Sequence, residues 1–581
     1  MKETGEKRIL YSCFSSEDKQ PFGAIRQAEP CRMRLRVPTS CPVKTVTLKL
    51  WGEDGCVTAV PLCRAEETDG YIAYRAVFTL TKTGLYRYAF LFDTEISSFT
   101  LYCKGKEDTN MEEGTYWQLT CMPRDYDVPR RFMGRVMYQI FPDRFAQNGV
   151  CDLTDKLTPY RLHADTAELP IDVPDGEGRW NTDFFGGNLN GIRERLDYLK
   201  SFGVGVIYLN PIFLSPSNHR YDTADYKRID PMLGTEEDFI ALCREARERD
   251  IYVILDGVFS HVGSDSRYFD RELRFGGGAV SDESSPYRSW FTFESYPDTY
   301  ECWWNIPTLP CVREMEPSYL DYIVRDEDSV VSYWMKRGAS GFRLDVADEL
   351  PDEFILHLRR RVKELDPEAL VIGEIWEDAS NKESYGKIRH YYSDGELDGV
   401  MNYPFRRTLL DLCFGLVDGK SAAESMMDLI EHYPAFAIHT CMSFLSSHDV
   451  PRVMTEIKET RGEGMALYLM KALAVIQYLL PGMPSIYYGD ETGMEGGKDP
   501  FNRGYFTENT PYASTLTEHY RFLGRLRAEH PALRYGKTEI TGEGDALTVL
   551  RYTEEEWVKG TVSMKDGGYI LTFSSEDERK G

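Results

Sequence analysis

The feature that most limits how this chain can fold begins at residue 132. Eight short apolar runs recur from there: "RVMYQIF" (135–141), "GVGVIYLNPIF" (203–213), "IYVILDGVF" (251–259), "GFRLDV" (341–346), "ALVIGEIW" (369–376), "LDGVMNY" (397–403), "CMSFLSS" (441–447) and "MPSIYYG" (483–489). Longer segments with helical spacing separate them, among them "GIRERLDYLKSFG", "TEEDFIALCREARERD" and "DEFILHLRRRVKELDP". Eight strands alternating with helices predict an α/β fold, a parallel sheet closed into a (β/α)8 TIM barrel. Residues 262 to 308 make too long a connection for a plain loop and hold a glycine triplet (276–278), so a small inserted domain is expected after the third strand.

The flanks read differently. Residues 1–122 look all-β: "TVTLKLW" (45–51) alternates apolar with polar, and "YIAYRAVFTL" and "LYRYAFLF" flank "TKTG" (81–84), which reads as a hairpin turn. An N-terminal β-sandwich is expected there, followed by a charged, proline-bearing linker, "MPRDYDVPRR" (122–131). The barrel then occupies 132–515, and 516–581 holds a last helix and a short C-terminal β module ending in a solvated tail, "SSEDERKG". The net charge of −26 argues against nucleic acid or an anionic membrane as partner, since both need basic patches. No 18-residue apolar run is present, and "MKETGEKRILYSCFSSEDKQ" lacks the apolar core of a secretion signal. Thirteen scattered cysteines without a CxxC suggest reduced thiols, so a cytoplasmic location is expected.

A barrel of this kind carries its chemistry at the C-terminal ends of its strands. Ionisable and polar residues gather at those ends: Tyr138, Asp143 and Arg144 on strand 1, Asp256 and His261 on strand 3, Arg343 and Asp345 on strand 4, Glu374 on strand 5, His448 and Asp449 after strand 7. Paired carboxylates without a metal cage point to glycosidic chemistry. A retaining mechanism needs two carboxyl groups about 5–5.5 Å apart, and Asp345 and Glu374 close adjacent strands, which lie about 4.8 Å apart. Arg343, two residues before Asp345, shares its face and would keep it ionised.

Four motifs in order, "DGVFSH", "GFRLDVADE", "GEIW" and "FLSSHD", resemble the signature regions of the α-amylase family, glycoside hydrolase family 13. "MYQIFPDRF", "FFGGNLNGI", "SNHRYDTADY", "MNYPF" and "PSIYYGDETGMEGGKDPFNR" bring the chain nearest to its neopullulanase, cyclomaltodextrinase and maltogenic amylase branch. The resemblance implies a retaining hydrolase of α-1,4 bonds, with or without α-1,6 activity, acting on maltodextrins, pullulan, cyclodextrins or starch. It implies Asp345 as nucleophile, Glu374 as acid/base and Asp449 as the group gripping the sugar at the cleavage subsite. Tyr138 would stack on that sugar, His261 and His448 would bind its hydroxyls, and Arg343 would orient Asp345. Asp499 and Arg503 would hold the next sugar, with His219, Tyr221 and Asp256 lining the same region, and Trp376 would face the leaving group. The rival readings are an α-glucan transglycosylase and a non-catalytic glycan-binding homologue.

The chain departs from the family in two places: Ser260 replaces a usual Asn, and Asn188 a frequent Asp. The reaction needs no cofactor, but Asn148, Asp152, Asp155 and Asn188 are candidate ligands for a structural calcium. Relatives also suggest a homodimer formed through the N-terminal module. In the insert, aromatic residues read mainly as core, with Trp303 and Trp304 near enough to reach the acceptor side. Past the nucleophile, Val346 is expected to face the helix layer, Ala347 to continue the inner face, Asp348 to touch an acceptor sugar and Glu349 only to support the loop.

Overall fold

The computed structural model describes residues 7–104 and 108–574. Its centre is a parallel eight-stranded barrel: β1 (Val136–Ile140), β2 (Val204–Leu209), β3 (Tyr252–Gly257), β4 (Gly341–Leu344), β5 (Leu370–Gly373), β6 (Gly399–Val400), β7 (Met442–Phe444) and β8 (Met483–Tyr487). The hydrogen-bonded order is β6-β5-β4-β3-β2-β1-β8-β7. The seam between β6 and β7 is closed by one bridge, Met401 to Met442, and by the Asn402 N–H donating to the Met442 carbonyl at 2.8 Å. The strands are shorter than the apolar runs that announced them, because each run continues past the last ladder bond into the loop that carries the site.

Period-two alternation divides the barrel residues between two cores. Met137, Val206, Tyr208, Ile254, Ile372 and Met442 pack along the axis. Tyr138, Ile207, Leu255, Phe342, Leu344 and Val371 pack outward with the helices. Each fully buried aliphatic or aromatic side chain stabilises this arrangement by about 1.5–3 kcal/mol. The helices follow the same logic. In Glu236–Glu248, Thr235 and Asp238 form a reciprocal capping box, and Phe239, Leu242, Cys243 and Ala246 make the buried stripe.

Two long loops wall the top of the barrel. The insert after β3 is closed at its base by the bridge between His261 and Cys311. Phe269, Phe291, Phe293 and Tyr300 form its small core, as expected for most of its aromatics. The second wall, residues 141–188 after β1, gave no comparable warning in the sequence. Its regular structure is the 3-10 turn Pro142–Arg144 and the short strand pair Arg161–Leu162 and Asp183–Phe184.

The N-terminal module is one ten-stranded sheet folded on itself at Val57–Thr68, which pairs on one side with Val43–Gly52 and on the other with Tyr71–Phe78. Leu35, Leu48, Tyr74, Tyr88, Phe90 and Trp117 share the enclosed core. The expected hairpin across 81–84 does not form. Tyr71–Phe78 pairs with Cys31–Pro38, whereas Gly84–Thr94 pairs with Val43–Gly52 and Trp117–Met122. The turn carries the chain from one half of the folded sheet to the other, a long-range choice that local turn chemistry does not encode. A fully buried ion pair, Lys19 with Glu431, and the bond from Gln118 Nε2 to Ser380 Oγ at 2.7 Å fix the module to the barrel. The C-terminal module is a four-stranded antiparallel meander over Lys537–Phe573. Residues 1–6 and residues 575–581 of the expected solvated tail lie outside the described residues. Among the described residues no helix is long and apolar enough to cross a membrane.

Candidate active site

The site is built around one fully buried guanidinium. Arg343 leaves β4 toward the axis, and its Nη1 donates to both Asp256 Oδ1 and Asp345 Oδ1 at 2.7 Å. Its Nη2 donates to Glu374 Oε2 at 2.7 Å. Asp345 and Glu374 each stand one residue past the end of a strand, β4 and β5, where the backbone is free to turn. It does so sharply at Val346, with φ 38° and ψ 54°. This left-handed conformation is costly for a β-branched residue. It aims the Val346 N–H at Glu374 Oε2, 2.9 Å away. Glu374 Oε1 accepts from Trp376 Nε1 at 3.0 Å, and the Trp376 ring stacks on Tyr403 at 3.9 Å between centroids.

Below the carboxylates lies a polar layer that fixes protonation. Gln139 Nε2 donates to His448 Nδ1 at 2.9 Å, so His448 carries its proton on Nε2. That nitrogen reaches the Tyr221 hydroxyl at 2.5 Å and Asp449 Oδ1 at 3.2 Å. Tyr221 and Tyr208 in turn donate to Asp256 Oδ2 at 2.8 and 2.6 Å. Burial, reinforced by nearby arginines, holds the imidazole of His448 well below its usual pKa and that of His219 at about 3. Burial lowers His261 to about 4. All three are neutral near pH 7, which leaves proton transfer to the carboxyl groups. Burial, then Glu374, pushes Asp449 up to about 7. Burial raises Asp345 well above the carboxylate range, and Glu374, Asp256 and Asp449 add to that while Arg343 opposes it. Asp345, Glu374 and Asp449 all face a cavity of about 820 Å³, within the size range of small-molecule sites.

Comparison with known proteins decides what this arrangement belongs to. Residues 139–531 match the family described as alpha amylase, catalytic domain. The chain belongs to the alpha-amylase family. It is 33% identical to an amylopullulanase of Thermoanaerobacterium saccharolyticum over 92% of this chain and 45% of the relative. It is 35% identical to neopullulanase 2 of Thermoactinomyces vulgaris over 71% of this chain and 65% of the relative. The chain therefore spans under half the length of the amylopullulanases it matches. Its structure resembles the type III pullulan hydrolase from Thermococcus kodakarensis with a TM-score of 0.66 at 26% identity, covering 96% of this chain and 94% of that one.

Of the residues the family resemblance singled out, His219, Tyr221, His261, Trp376, Asp499 and Arg503 line the same cavity as the three carboxylates. The other four do not reach it. Tyr138 lies in the outer core, fully buried, with its hydroxyl on Glu491 Oε1 at 2.6 Å. Strand parity is the reason: Gln139, not Tyr138, points to the axis. Tyr221 and Trp376 are the aromatics that line the cavity beside the carboxylates. Asp256 sits beneath the site, its oxygens taken by Arg343, Tyr208 and Tyr221. Arg343 is likewise covered, which suits an orienting group, and His448 is held behind Tyr221 and Asp449. Arg503 also does more than face the cleft: Nε and Nη2 both donate to the His448 carbonyl, at 3.1 and 2.9 Å.

The turn after Val346 corrects three further expectations. Val346 borders the cavity instead of facing the helices, and Ala347 points into the outer core. Asp348 is occupied by Lys382 and the Tyr391 hydroxyl, at 3.0 and 2.7 Å. The left-handed residue breaks strand alternation, so parity counted from Asp345 fails beyond it. Gln139, Tyr208, Asn210 and Asn502 were missed, and inward parity was the one signal that marked the first two.

Three of the four candidate calcium ligands are engaged by protein partners. Asn188 Oδ1 accepts the Gly191 N–H at 2.7 Å as a helix cap, and its Nδ2 donates to the Asn148 carbonyl at 3.0 Å. Asp152 accepts from Thr154, and Asp155 pairs with Arg228. Among the described residues no group of three or more His, Cys, Asp or Glu stands together as a metal site. Lys156, also in this loop, has its Nζ buried against Asp230 Oδ2 at 2.7 Å and the Ser215 carbonyl at 2.6 Å.

Proposed function

We propose that this chain is a retaining glycoside hydrolase that cleaves α-1,4-glucosidic bonds in maltodextrins and related α-glucans. The observation that carries the reading is the single guanidinium of Arg343 holding Asp345 and Glu374 together at the edge of a cavity whose histidines are neutral. In the reactive form the proton shared by the clustered carboxyl groups rests on Glu374, and Asp345, held by Arg343 through Oδ1, attacks the anomeric carbon with Oδ2. The C–O bond to the leaving chain breaks as Glu374 gives its proton to that oxygen, and a covalent glycosyl-enzyme forms. Glu374 Oε1, held by one indole donor, is the oxygen suited to carry that proton. Glu374, now ionised, then takes a proton from water, which attacks the anomeric carbon and restores Asp345. Asp449 grips sugar hydroxyls as the ring flattens.

Relatives named amylopullulanase, neopullulanase and cyclomaltodextrinase support pullulan and cyclodextrins as further substrates. Thirteen cysteines scattered without a CxxC favour a reducing compartment. Incubation with maltoheptaose, followed by proton NMR, tests the proposal: short maltodextrins should appear first as α-anomers. β-Anomers would overturn retention, and products longer than maltoheptaose would move the reading to transglycosylation.

A further inference from the structure

Two exposed aromatic residues, Trp304 at the mouth of the cleft and Tyr385 next to it across Glu349, are held in a backbone conformation that bulky residues avoid. Trp304 is 74% exposed with φ 47° and ψ 35°. Tyr385 is 79% exposed with φ 51°. They come from different loops. Trp304 belongs to the insert after β3, and Tyr385 opens the two-residue turn, Tyr385–Gly386, of a small hairpin after β5. That left-handed turn favours Asn or Gly where Tyr385 stands. Neither residue recovers the strain by burial.

What the two share is Glu349. Its Oε1 accepts the Trp304 indole N–H at 3.1 Å, and the Tyr385 phenol lies beside the same carboxylate. Glu349 ends the short turn Ala347–Glu349 that follows Asp345 and Val346, so it moves with the nucleophile's own loop. The hairpin is clamped to that turn as well: Lys382 pairs with Asp348, and Ser384 Oγ donates to the Asp348 carbonyl at 3.2 Å. Trp304 also stacks on Trp303, whose ring lies 5.5 Å from His261.

We infer that Trp304 and Tyr385, positioned by Glu349, form a sugar-binding rim for the leaving or acceptor chain beyond Trp376. The side is set by chemistry. Glu374 protonates the leaving oxygen, Trp376 and Val346 lie next to Glu374, and Glu349 continues that wall, whereas His219, Asp499 and Arg503 lie on the opposite, donor side. Strained and exposed aromatics are kept where a ligand uses them, and flat rings suit the apolar faces of glucosyl units. Glu349 is here a positioning residue.

The inference rests on the hydrolase reading, so the test separates the two. The kcat/KM for maltohexaose is compared with that for p-nitrophenyl α-maltoside, whose leaving group is too short to reach the rim. In Trp304→Ala and in Tyr385→Ala the ratio should fall about tenfold, through KM. Glu349→Ala should reproduce the fall, and Glu349→Gln, which keeps an acceptor for the indole, should recover part of it. A ratio within twofold of the parent in both aromatic variants, or a parallel loss on both substrates, overturns the rim. Calorimetry of maltohexaose with Asp345→Asn, alone and combined with Tyr385→Ala, needs no turnover. About tenfold weaker binding in the double variant supports the rim even if the parent cleaves neither substrate, an outcome that would sink the hydrolase reading alone. Equal binding would overturn the rim.

Discussion

Two buried arginine–aspartate pairs sit at the top of the same barrel and behave as opposites. After β1, Arg144 donates to Asp143 at 2.6 Å and to the carbonyls of Arg503 and Asp183. Asp143 also accepts the backbone N–H groups of Phe185 and Gly186. Every strong donor there meets an acceptor inside the fold, and neither side chain borders the cavity. After β4, Arg343 serves three carboxylates at once, and two of them, Asp345 and Glu374, face open space. The sequence motif is nearly the same, an arginine beside an aspartate at a strand end. What separates a brace from a reaction centre is the ratio of charges and the direction of the surplus. A balanced and saturated pair holds two loops together, while an outnumbered arginine leaves carboxyl groups poised to exchange protons and bonds.

The largest expected effect tests the reactive side of that contrast. Asp345→Asn should lower kcat on maltoheptaose by about 10,000-fold or more while sugar binding survives in calorimetry; a drop below tenfold would remove Asp345 from the nucleophile role. The braced pair should fail differently. Asp143→Ala strands a buried guanidinium and should cost about 3–5 kcal/mol of stability in denaturant titration, with kcat/KM per folded molecule kept within about threefold. A large rate loss in folded protein would erase the distinction between the pairs.

A pH experiment sharpens it further. Asp449 titrates near 7 in the fold against an ordinary value of 3.8. The folded chain keeps this proton while the unfolded chain has already released it. Stability therefore declines as pH rises from about 4 to 7, and the full cost stands above 7. Asp449→Asn should match the parent below pH 4 yet melt higher at pH 8, by about 3 °C. A lower melting temperature at pH 8 would contradict the surplus of charge. The smallest effect on turnover is expected outside the site: Tyr138→Phe should leave kcat/KM within about twofold and lower stability by about 1 kcal/mol through loss of the bond to Glu491. A tenfold rate loss would return Tyr138 to the cleft.

The barrel was legible because its signal is repeated eight times and each repeat is local. The carboxylates that line the cavity were legible because a charge at a strand end stands out against an apolar run. Tyr138 was misplaced because an aromatic inside a strand has two faces available, and only the register with neighbouring strands says which one turns inward. Ala347 and Asp348 were misplaced because the strand's alternation was extended through Val346, whose left-handed φ is invisible in a valine. The 81–84 turn and the 141–188 wall failed for a common reason: their partners are distant in sequence, so the deciding contacts are not written near them. Glu349, read as a bystander, sits between two loops that the linear order keeps apart.

Lys156 has a practical consequence. Its ammonium joins the wall after β1 to Asp230 and the Ser215 carbonyl, and lies over the Phe184 ring at 4.5 Å. A tether that is part of the polypeptide cannot be diluted away, exchanged for a competitor or stripped by a chelator. At this junction the wall's attachment is built into the chain itself, through an ammonium whose pKa burial holds below the usual lysine value.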